Sequence, residues 1–309
     1  MTHLEISLRQ LQYFEAAAQH GNLKTAAATL CVSASSLSLG VAHLEKITGR
    51  QLFHRRHARG IVLTDDGKEL LLEARNILQQ VYDLQRPSFA RPHDIVANIN
   101  LGCLFSLSPF ILPTLIKEFG KNYPSVEVHI FESHGEELPA GLHSGMYDLI
   151  ISYDTDMPNA LNIMPIKALP ARALLSASHP LASKSAVMLK QLADEPFIFV
   201  GYAHTRDYFV SVFSECGVPQ PTVYQRVQSY ELVRNLVGQG LGYSIVNICP
   251  PFGNDPTHEV VAVPIADAAT VPHLIVANLR GSRMNRVLSA FVDTTREVVD
   301  SVQLLHENY

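Results

Sequence analysis

Residues 22–49 read NLKTAAATLCVSASSLSLGVAHLEKITG and combine an alanine run, a tight break and a serine-rich segment with almost no charge. The segment from Thr25 to Leu30 predicts a short helix packed through alanines, and Val32-Ser33 predicts a break. A third helix is predicted from Ser35 to Lys46, because its apolar residues recur on one face. That face consists of Leu37, Val41 and Leu44.

An earlier helix is predicted from the helical spacing of Leu8, Leu11, Phe14 and Ala18, and Gly21-Asn22 closes it. Three short helices with a break before the third are typical of a helix-turn-helix, whose third helix lies in the DNA major groove. Short polar side chains on that helix let its backbone approach the base edges. We expect DNA contacts from Thr25, Ser33, Ser35, Ser36 and Ser38. The helical pattern alone also fits a small cap with a solvated serine face.

A basic hairpin follows the third helix. Residues 51–64, QLFHRRHARGIVLT, predict two short strands, and Arg55 and Arg56 would reach DNA phosphates as part of a wing. Residues 1–60 contain seven Lys or Arg against three Glu, a net charge of +4, whereas the whole chain carries −5. A basic N-terminal module on an acidic body indicates that the module binds a polyanion.

The next segment predicts a long helix, with Thr64 as its N-cap and an end near Leu84. Its apolar stripe would lack a partner within the small N-terminal module, so we expect a second copy of the chain to cover it. The stripe consists of Leu70, Ala74, Ile77, Leu78 and Val81. We therefore predict a homo-oligomer, either a dimer or a tetramer.

From residue 97 onward, short apolar runs alternate with helical segments, the rhythm of a mostly parallel α/β sheet. The 309 residues divide into a winged helix-turn-helix at 1–64, a dimerisation helix and hinge at 65–94, and an effector-binding domain at 95–309. We place lobe I of that domain at about 95–160 and 266–309, and lobe II at about 161–265, with two crossovers between them.

The N-terminal segments LRQLQYFEAAAQHGNLKTAAATLCVSASSLSLGVAHLEKITGRQLFHR and VLTDDGKELL closely resemble LysR-type transcriptional regulators. The later segments GMYDLIISYD, HPLASKSAVMLKQLADEPFI and VRNLVGQGLGYSIVN also resemble that family. The resemblance covers essentially the whole chain. It implies a winged helix-turn-helix, a dimerising linker helix and a two-lobed effector domain similar to periplasmic binding proteins.

The third helix departs from that family at three points. Ala34-Ser35 stands where the family usually has Gln-Pro, and Leu39 stands where a basic or polar residue is frequent. Gly40 replaces a longer side chain and lowers helix propensity by roughly 1 kcal/mol relative to alanine. These differences concern the operator sequence rather than the DNA-binding role.

Polar and aromatic residues lie at four predicted strand ends or helix starts in the effector domain. Ligands of two-lobed α/β folds bind beyond the carboxyl ends of strands, where helix N-termini favour negative charge. We expect the ligand to be a small organic anion that accepts hydrogen bonds from these hydroxyls and pairs with Arg206, while tyrosines cover its flat apolar body. The expected effector residues are Ser106, Leu107, Ser108, Tyr153, Asp154, Tyr202, Thr205, Arg206, Ser229, Tyr230 and Asn247. Ordinary helix capping is the alternative interpretation for each hydroxyl.

Other kinds of chemistry have little support in the sequence. The fourteen histidines include no HExxH, no GxSxG is present, and the Gly-rich run Gly238–Gly242 follows a helix rather than a strand. We therefore expect no metal, no cofactor and no catalytic site. Cys216 is interpreted as a packing thiol rather than a redox sensor. No apolar run of about 20 residues predicts a membrane span, and scattered cysteines fit a cytoplasmic protein.

The leading interpretation is thus a DNA-binding regulator that responds to a small carboxylate, with double-stranded DNA and further copies of itself as partners. One alternative is a cytoplasmic small-molecule binding protein whose DNA-binding module is degenerate, suggested by Ala34, Leu39 and Gly40. A second alternative is an enzyme on the two-lobed scaffold, which would require a reactive constellation that the sequence lacks.

Overall fold

The computed structural model describes residues 5–56, 60–85, 92–155, 157–201, 203–248 and 260–301. A few residues within these ranges are described by backbone alone, and Arg55 and Arg56 are among them. The helices of the described part are α1 Leu8–His20, α2 Leu23–Thr29, α3 Ala34–Thr48, α4 Asp65–Gln85, α5 Ser108–Asn122, α6 Glu137–His143, α7 Ala203–Glu215, α8 Tyr230–Gly238 and α9 Arg286–Ser301.

The strands fall into three groups along the chain: a short N-terminal pair, a first run up to residue 176, and a second run after residue 197. They are β1 Phe53–Arg56, β2 Gly60–Leu63, β3 Ala97–Leu104, β4 Val126–Ser133, β5 Leu149–Tyr153, β6 Leu161–Ala168, β7 Arg172–Ser176, β8 Phe197–Val200, β9 Val223–Val227, β10 Ser244–Val246, β11 Val260–Pro264 and β12 His273–Leu279.

The N-terminal module is the predicted winged helix-turn-helix. Side-chain caps start its helices: Ser7 forms a capping box with Gln10 at α1, Asn22 accepts from the amide of Lys24 at α2, and Ser33 accepts from the amide of Ser36 at α3. The three helices pack around a shared apolar core, and β1 and β2 form the antiparallel wing. The largest fully buried members of that core are Phe14, Leu37, Leu44 and Leu52.

The long helix α4 begins at the predicted cap, because the Thr64 hydroxyl accepts a hydrogen bond from the amide of Gly67 at 2.9 Å. The predicted unpartnered stripe is partly wrong. Ala74 and Leu78 are buried in the core of the N-terminal module, since α1 packs along α4. Ile77 remains exposed, and Leu84 is 84% exposed.

Lobe I is built on a five-stranded sheet in the order β4-β3-β5-β12-β6. Strand β3 runs parallel to β4 and β5, whereas β12 runs antiparallel to both β5 and β6. Helices α5 and α9 pack together beside the sheet, with the rings of Phe119 and Phe291 5.0 Å apart. The predicted boundary at residue 161 differs from the structure, because β6 belongs to the lobe I sheet.

Lobe II carries a three-stranded antiparallel sheet, β10-β7-β11, and a parallel pair, β8-β9. A bridge between Phe197 and Tyr243 connects the two sheets, and the rings of Phe197, Phe209 and Phe213 pack in its core. Both lobes therefore have mixed rather than mostly parallel sheets. The difference arises at β7, β11 and β12, which pair antiparallel where the chain crosses between the lobes.

Candidate functional site

A cavity of about 760 Å³ lies between the two lobes. Lobe I lines it with residues at the carboxyl ends of β3, β4 and β5 and at the start of α5. Lobe II contributes the ends of β8 and β10 and the first turns of α7 and α8. This is the position beyond the carboxyl ends of strands where two-lobed α/β folds bind ligands.

Six of the predicted effector residues line this cavity: Ser106, Tyr153, Thr205, Ser229, Tyr230 and Asn247. Hydrogen bonds within the protein fix three of them. The Tyr230 hydroxyl donates to the carbonyl of Ile248 at 2.7 Å, and the Asn247 amide donates to the carbonyl of Leu169 at 2.8 Å and to the Tyr208 hydroxyl at 2.7 Å. Ser229 accepts from the amide of Leu232 and caps α8. The predicted capping role of this serine therefore coexists with its place on the cavity wall.

Three predicted residues near the cavity have other partners and are not among its described lining residues. Leu107 is fully buried in the core of lobe I. The Ser108 hydroxyl donates to the carboxylate of Glu132. Asp154 accepts from the backbone amide of His273 at 2.8 Å, with the other carboxylate oxygen 3.0 Å from that histidine's Nδ1. Asp154 therefore fastens β5 to β12 instead of reaching into the cavity.

Arg206 is exposed and is not among the lining residues either, so the structure does not place a fixed cation there. The reason is helical phase: Thr205, Tyr208 and Phe209 face the cavity at positions i, i+3 and i+4, which leaves Arg206 on another face of α7. Tyr202, the remaining predicted residue, lies outside the described residues.

Several lining residues were missed by the sequence analysis. Phe105, Tyr208 and Phe209 give the wall aromatic surface, and Glu132 ends β4 at the cavity. Tyr208 could have been found from its spacing of three residues after Thr205 on one helical face. Glu132 lies in a segment with an ordinary strand pattern, so the sequence does not indicate that it reaches the cavity. Its hydrogen bond with Ser108 at the start of α5 is a long-range contact that appears only in the structure.

The charged residues of the described lining are mainly acidic: Glu132, Glu136 and Glu231, together with His134. The described lining contains no lysine and no arginine, and the sequence of residues 249–259, CPPFGNDPTHE, also lacks both. Arg234 pairs with Glu231 at 2.7 Å on the first turn of α8. The other two carboxylates of the described lining, Glu132 and Glu136, lie on the lobe I side.

Two tyrosines in the cavity wall are held in their neutral form. Burial raises the pKa of Tyr153, with a smaller contribution from nearby Tyr208. Burial also raises the pKa of Tyr208 to about 12, against the opposing hydrogen bond from Asn247. Both phenols consequently serve as neutral hydrogen-bonding groups on an apolar wall.

Two cysteines of the effector domain, Cys103 and Cys216, lie in environments that disfavour the thiolate. Burial raises the pKa of Cys216 to about 11, and the negative charge of Asp267 adds to this effect. Burial also raises the pKa of Cys103. Since the thiolate is the reactive form, these environments favour the packing role predicted for Cys216.

The predicted DNA surface is centred on the start of α3. Ser33, Ser35 and Ser36 are exposed, and the Ser33 hydroxyl lies 3.0 Å from that of Ser35 and 2.7 Å from that of Ser36. Thr25 is exposed on α2, whereas Ser38 is half-buried beside the wing, in a cavity of about 50 Å³. Arg55 and Arg56 lie on β1 opposite Ile61 and Gly60, and their side chains are outside the described part.

Among the described residues, no group of three or more His, Cys, Asp or Glu side chains is arranged to hold a metal ion. No single helix in the described ranges is long and apolar enough to cross a bilayer, although α2 and α3 pass that test together as a pair bent by 108°.

Comparison with known proteins assigns the N-terminal module and the two-lobed domain to the same family. Residues 95–300 match the model described as LysR substrate binding domain, and residues 8–68 match the bacterial regulatory helix-turn-helix protein of the lysR family. Two curated relatives come from Escherichia coli K12. The uncharacterised HTH-type transcriptional regulator YnfL is 30% identical over 277 residues, 88% of this chain and 91% of the relative. The DNA-binding transcriptional dual regulator OxyR is 27% identical over 242 residues, 78% of this chain and 79% of the relative.

A solved structure gives the same result at the level of the fold. HinK, a LysR family transcriptional regulator from Pseudomonas aeruginosa, is 32% identical and superposes with a TM-score of 0.61. The superposition covers 94% of this chain and 97% of HinK. The shared architecture thus extends from the N-terminal module through both lobes.

Proposed function

Because this chain belongs to the LysR family of DNA-binding transcription regulators, we propose that a small molecule bound between its lobes controls how its helix-turn-helix meets DNA. The observation that carries this proposal is the 760 Å³ cavity, which is lined from both lobes. A ligand that contacts both lobes stabilises one relative arrangement of them and shifts the protein toward that state.

The proposed DNA surface combines the start of α3 with the wing. This role is supported by four hydroxyl residues that are exposed to solvent: Thr25, Ser33, Ser35 and Ser36. Ser38 is half-buried and lies between α3 and the wing. We assign Arg55 and Arg56 on β1 to phosphate contacts, in keeping with the net charge of +4 in residues 1–60.

The charges in the cavity support a proposal for the chemical class of the effector. The organic anion predicted from the sequence relied on Arg206 and on hydroxyls at helix starts. Arg206 is not among the lining residues, and Glu132 already accepts from the hydroxyl of Ser108 at the start of α5. Ser106 and Thr205 still support an anion, but a carboxylate ligand would also face Glu132 and Glu136.

We therefore propose an apolar, flat ligand that carries a hydrogen-bond donor or a positive charge. Phe105, Tyr153 and Phe209 would contact its apolar body, and Glu132 would accept from its donor group. Such a charge-assisted hydrogen bond in a partly desolvated cleft is stronger than a neutral one.

Calorimetry with three ligands of one skeleton tests this class: an aromatic amine, the matching neutral amide and the matching carboxylate. We expect the amine to bind most tightly and Glu132→Gln to weaken it about tenfold while changing the amide little. Glu127→Gln is the matched control, since Glu127 lies on the same strand outside the described lining and its side chain is 77% exposed. A carboxylate that binds most tightly, and more tightly still to Glu132→Gln, would establish the organic anion instead.

A gel shift with DNA flanking the gene, with and without the tightest ligand, tests the regulatory link. We expect specific binding whose affinity or footprint changes with the ligand. Ligand binding without any DNA binding would favour the alternative of a small-molecule binding protein with a degenerate N-terminal module.

A further inference from the structure

The outward face of α3 is unusual for a helix that reads DNA. One helical stripe of exposed positions consists of Ser35, Leu39, Ala42 and Lys46, and it lies opposite the buried Leu37, Val41 and Leu44. The helix contains no arginine, asparagine or glutamine. Lys46, in its last turn, is the only residue of the helix whose type commonly forms paired hydrogen bonds with guanine, and none of its residues is of the type that forms them with adenine.

Leu39 dominates this face. Its side chain is 73% exposed, although burial of a leucine side chain away from water is energetically favourable. Its neighbours on the stripe, Ser35 and Ala42, are small and leave it projecting. A single exposed leucine elsewhere on the surface would be ordinary, but this one stands in the first half of the helix that enters the major groove.

Packing fixes the rotation of α3 that points Leu39 outward. Gly40, the next residue, lies against the ring of Tyr13 on α1, where an added Cβ would come within 2.6 Å of a ring carbon. Three residues further along α3, Nδ1 of His43 lies 2.5 Å from the side-chain amide of Gln10, also on α1. These two contacts with α1 prevent the helix from turning Leu39 toward the core.

We propose that Leu39 is a specificity residue that contacts the C5-methyl group of a thymine in each half-site of the operator. The thymine methyl is the apolar group that unmodified DNA presents in the major groove, so it is the base feature that a leucine can recognise. This inference rests on the DNA binding proposed above. It predicts an operator in which a thymine at one position is preferred for its methyl group rather than for its hydrogen-bonding pattern.

The experiment starts by selecting operator sequences from a random duplex pool with the full-length protein. Each thymine of the selected half-site is then replaced singly by deoxyuridine, which removes the methyl group and leaves base pairing intact. Affinities are measured by fluorescence anisotropy for the wild type, for Leu39→Ala and for Leu8→Ala. Leu8 is the matched control because it is an exposed leucine of the same module, 43% exposed, on α1 rather than α3.

We expect one position per half-site at which deoxyuridine weakens wild-type binding about fourfold, the value of one buried methyl group. Leu39→Ala should bind the thymine and deoxyuridine duplexes equally, and Leu8→Ala should behave like the wild type. Replacing that base pair by 5-methylcytosine with guanine should bind better than cytosine with guanine in the wild type only.

Two results would overturn the proposal. If deoxyuridine has the same effect on the wild type and on Leu39→Ala at every position, Leu39 does not read a thymine methyl. If the pool yields no enriched sequence, the proposed DNA-binding function fails, and the contact with thymine fails with it.

Discussion

Gly40 lies inside a helix although glycine has a low helix propensity, and the packing around it explains why. In the middle of α3 it costs roughly 1 kcal/mol relative to alanine, and the sequence alone marks it as a departure from its family. The structure supplies the reason, since the buried ring of Tyr13 occupies the space where a Cβ would project. Arg9 holds that ring in place by donating to the Tyr13 hydroxyl at 2.7 Å.

Gly40→Ala should therefore destabilise the protein in spite of the better helix propensity of alanine. Overpacking a well-ordered site costs about 1–3 kcal/mol, so we expect a net loss of about 1 kcal/mol in the free energy of unfolding. Thermal unfolding and hydrogen exchange of α1 and α3 measure this loss. Gly120→Ala in α5 is the matched control, because an added Cβ there meets nothing within 4 Å and should stabilise the helix. A gain of stability in both variants would contradict the packing argument.

At this scale the sequence predicts local features of a helix better than it predicts which surface a side chain reaches. The serine-rich start of α3 and its capping residue are local features, and both follow from the order of residues 33–38. Arg206 is different, because whether it reaches the cavity depends on the helical phase of α7. That phase is set by the burial of Phe209 and Phe213 in lobe II, which short-range sequence patterns do not reveal.

Among the elements, the long helix α4 leaves part of its apolar surface exposed within one chain. After Ala74 and Leu78 pack against the N-terminal module, an apolar row remains on its adjacent face at a spacing of seven, four and three residues. This row consists of Leu70, Ile77, Val81 and Leu84. Leu70 and Val81 are half-buried, Ile77 is 42% exposed and Leu84 is 84% exposed. Such a spacing is typical of helices that pair along their length.

Charges placed on this row should separate the copies of the chain. We expect Ile77→Glu together with Leu84→Glu to reduce the assembly to half its mass, because each buried glutamate would lose its hydration. Sedimentation of the full-length protein measures the mass. Gln80→Glu is the control, since Gln80 is exposed on the same helix but outside the row. An unchanged mass for the double variant would show that another surface holds the copies together.

The sequence predicted α4 and its capping residue correctly, but it assigned two residues of the helix to the wrong surface. A helical wheel distinguishes apolar from polar faces and cannot tell which of two adjacent apolar faces packs within the chain. The answer depends on α1, whose residues lie more than fifty positions earlier. The mixed pairing of β7, β11 and β12 was missed for the same reason, because strand direction is decided by long-range crossovers.

On the scale of the whole molecule, the N-terminal module is tied to lobe I through α4. Asn76 on α4 donates to the carbonyl of Gly281 at 3.1 Å and accepts from the amide of Arg283 at 2.9 Å. Arg75, the residue before Asn76 on α4, contacts the N-terminal module: its Nε lies 3.3 Å from a carboxylate oxygen of Glu15 on α1. A change in lobe I can therefore reach the DNA-binding helices through a short chain of contacts.

Arg75 also acts on a second carboxylate, Asp148 of lobe I, whose side chain accepts from the backbone amide of Asn100 at 2.7 Å. Burial raises the pKa of both Glu15 and Asp148, and the positive charge of Arg75 opposes this rise. A carboxyl group with a raised folded-state pKa stabilises the fold at low pH and loses that contribution as the pH rises through the raised value. Near neutral pH, burial of these two carboxylates in their ionised form lowers the stability of the fold, and the positive charge of Arg75 reduces that loss.

Arg75→Met should therefore be a pH-dependent variant. Without the guanidinium, the pKa values of Glu15 and Asp148 rise further, so the loss of stability should be small near pH 5 and grow toward pH 8, reaching about 3 kcal/mol. Thermal unfolding across this range measures the loss, and the effect of ligand on DNA affinity reports the coupling between lobe I and the N-terminal module. Arg50→Met is the matched control, because the ion pairs of Arg50 with Asp66 and Glu69 are exposed and should contribute at most about 1 kcal/mol at any pH. Equal losses for Arg75→Met at pH 5 and pH 8 would mean that the pKa values of the two carboxyl groups do not depend on Arg75.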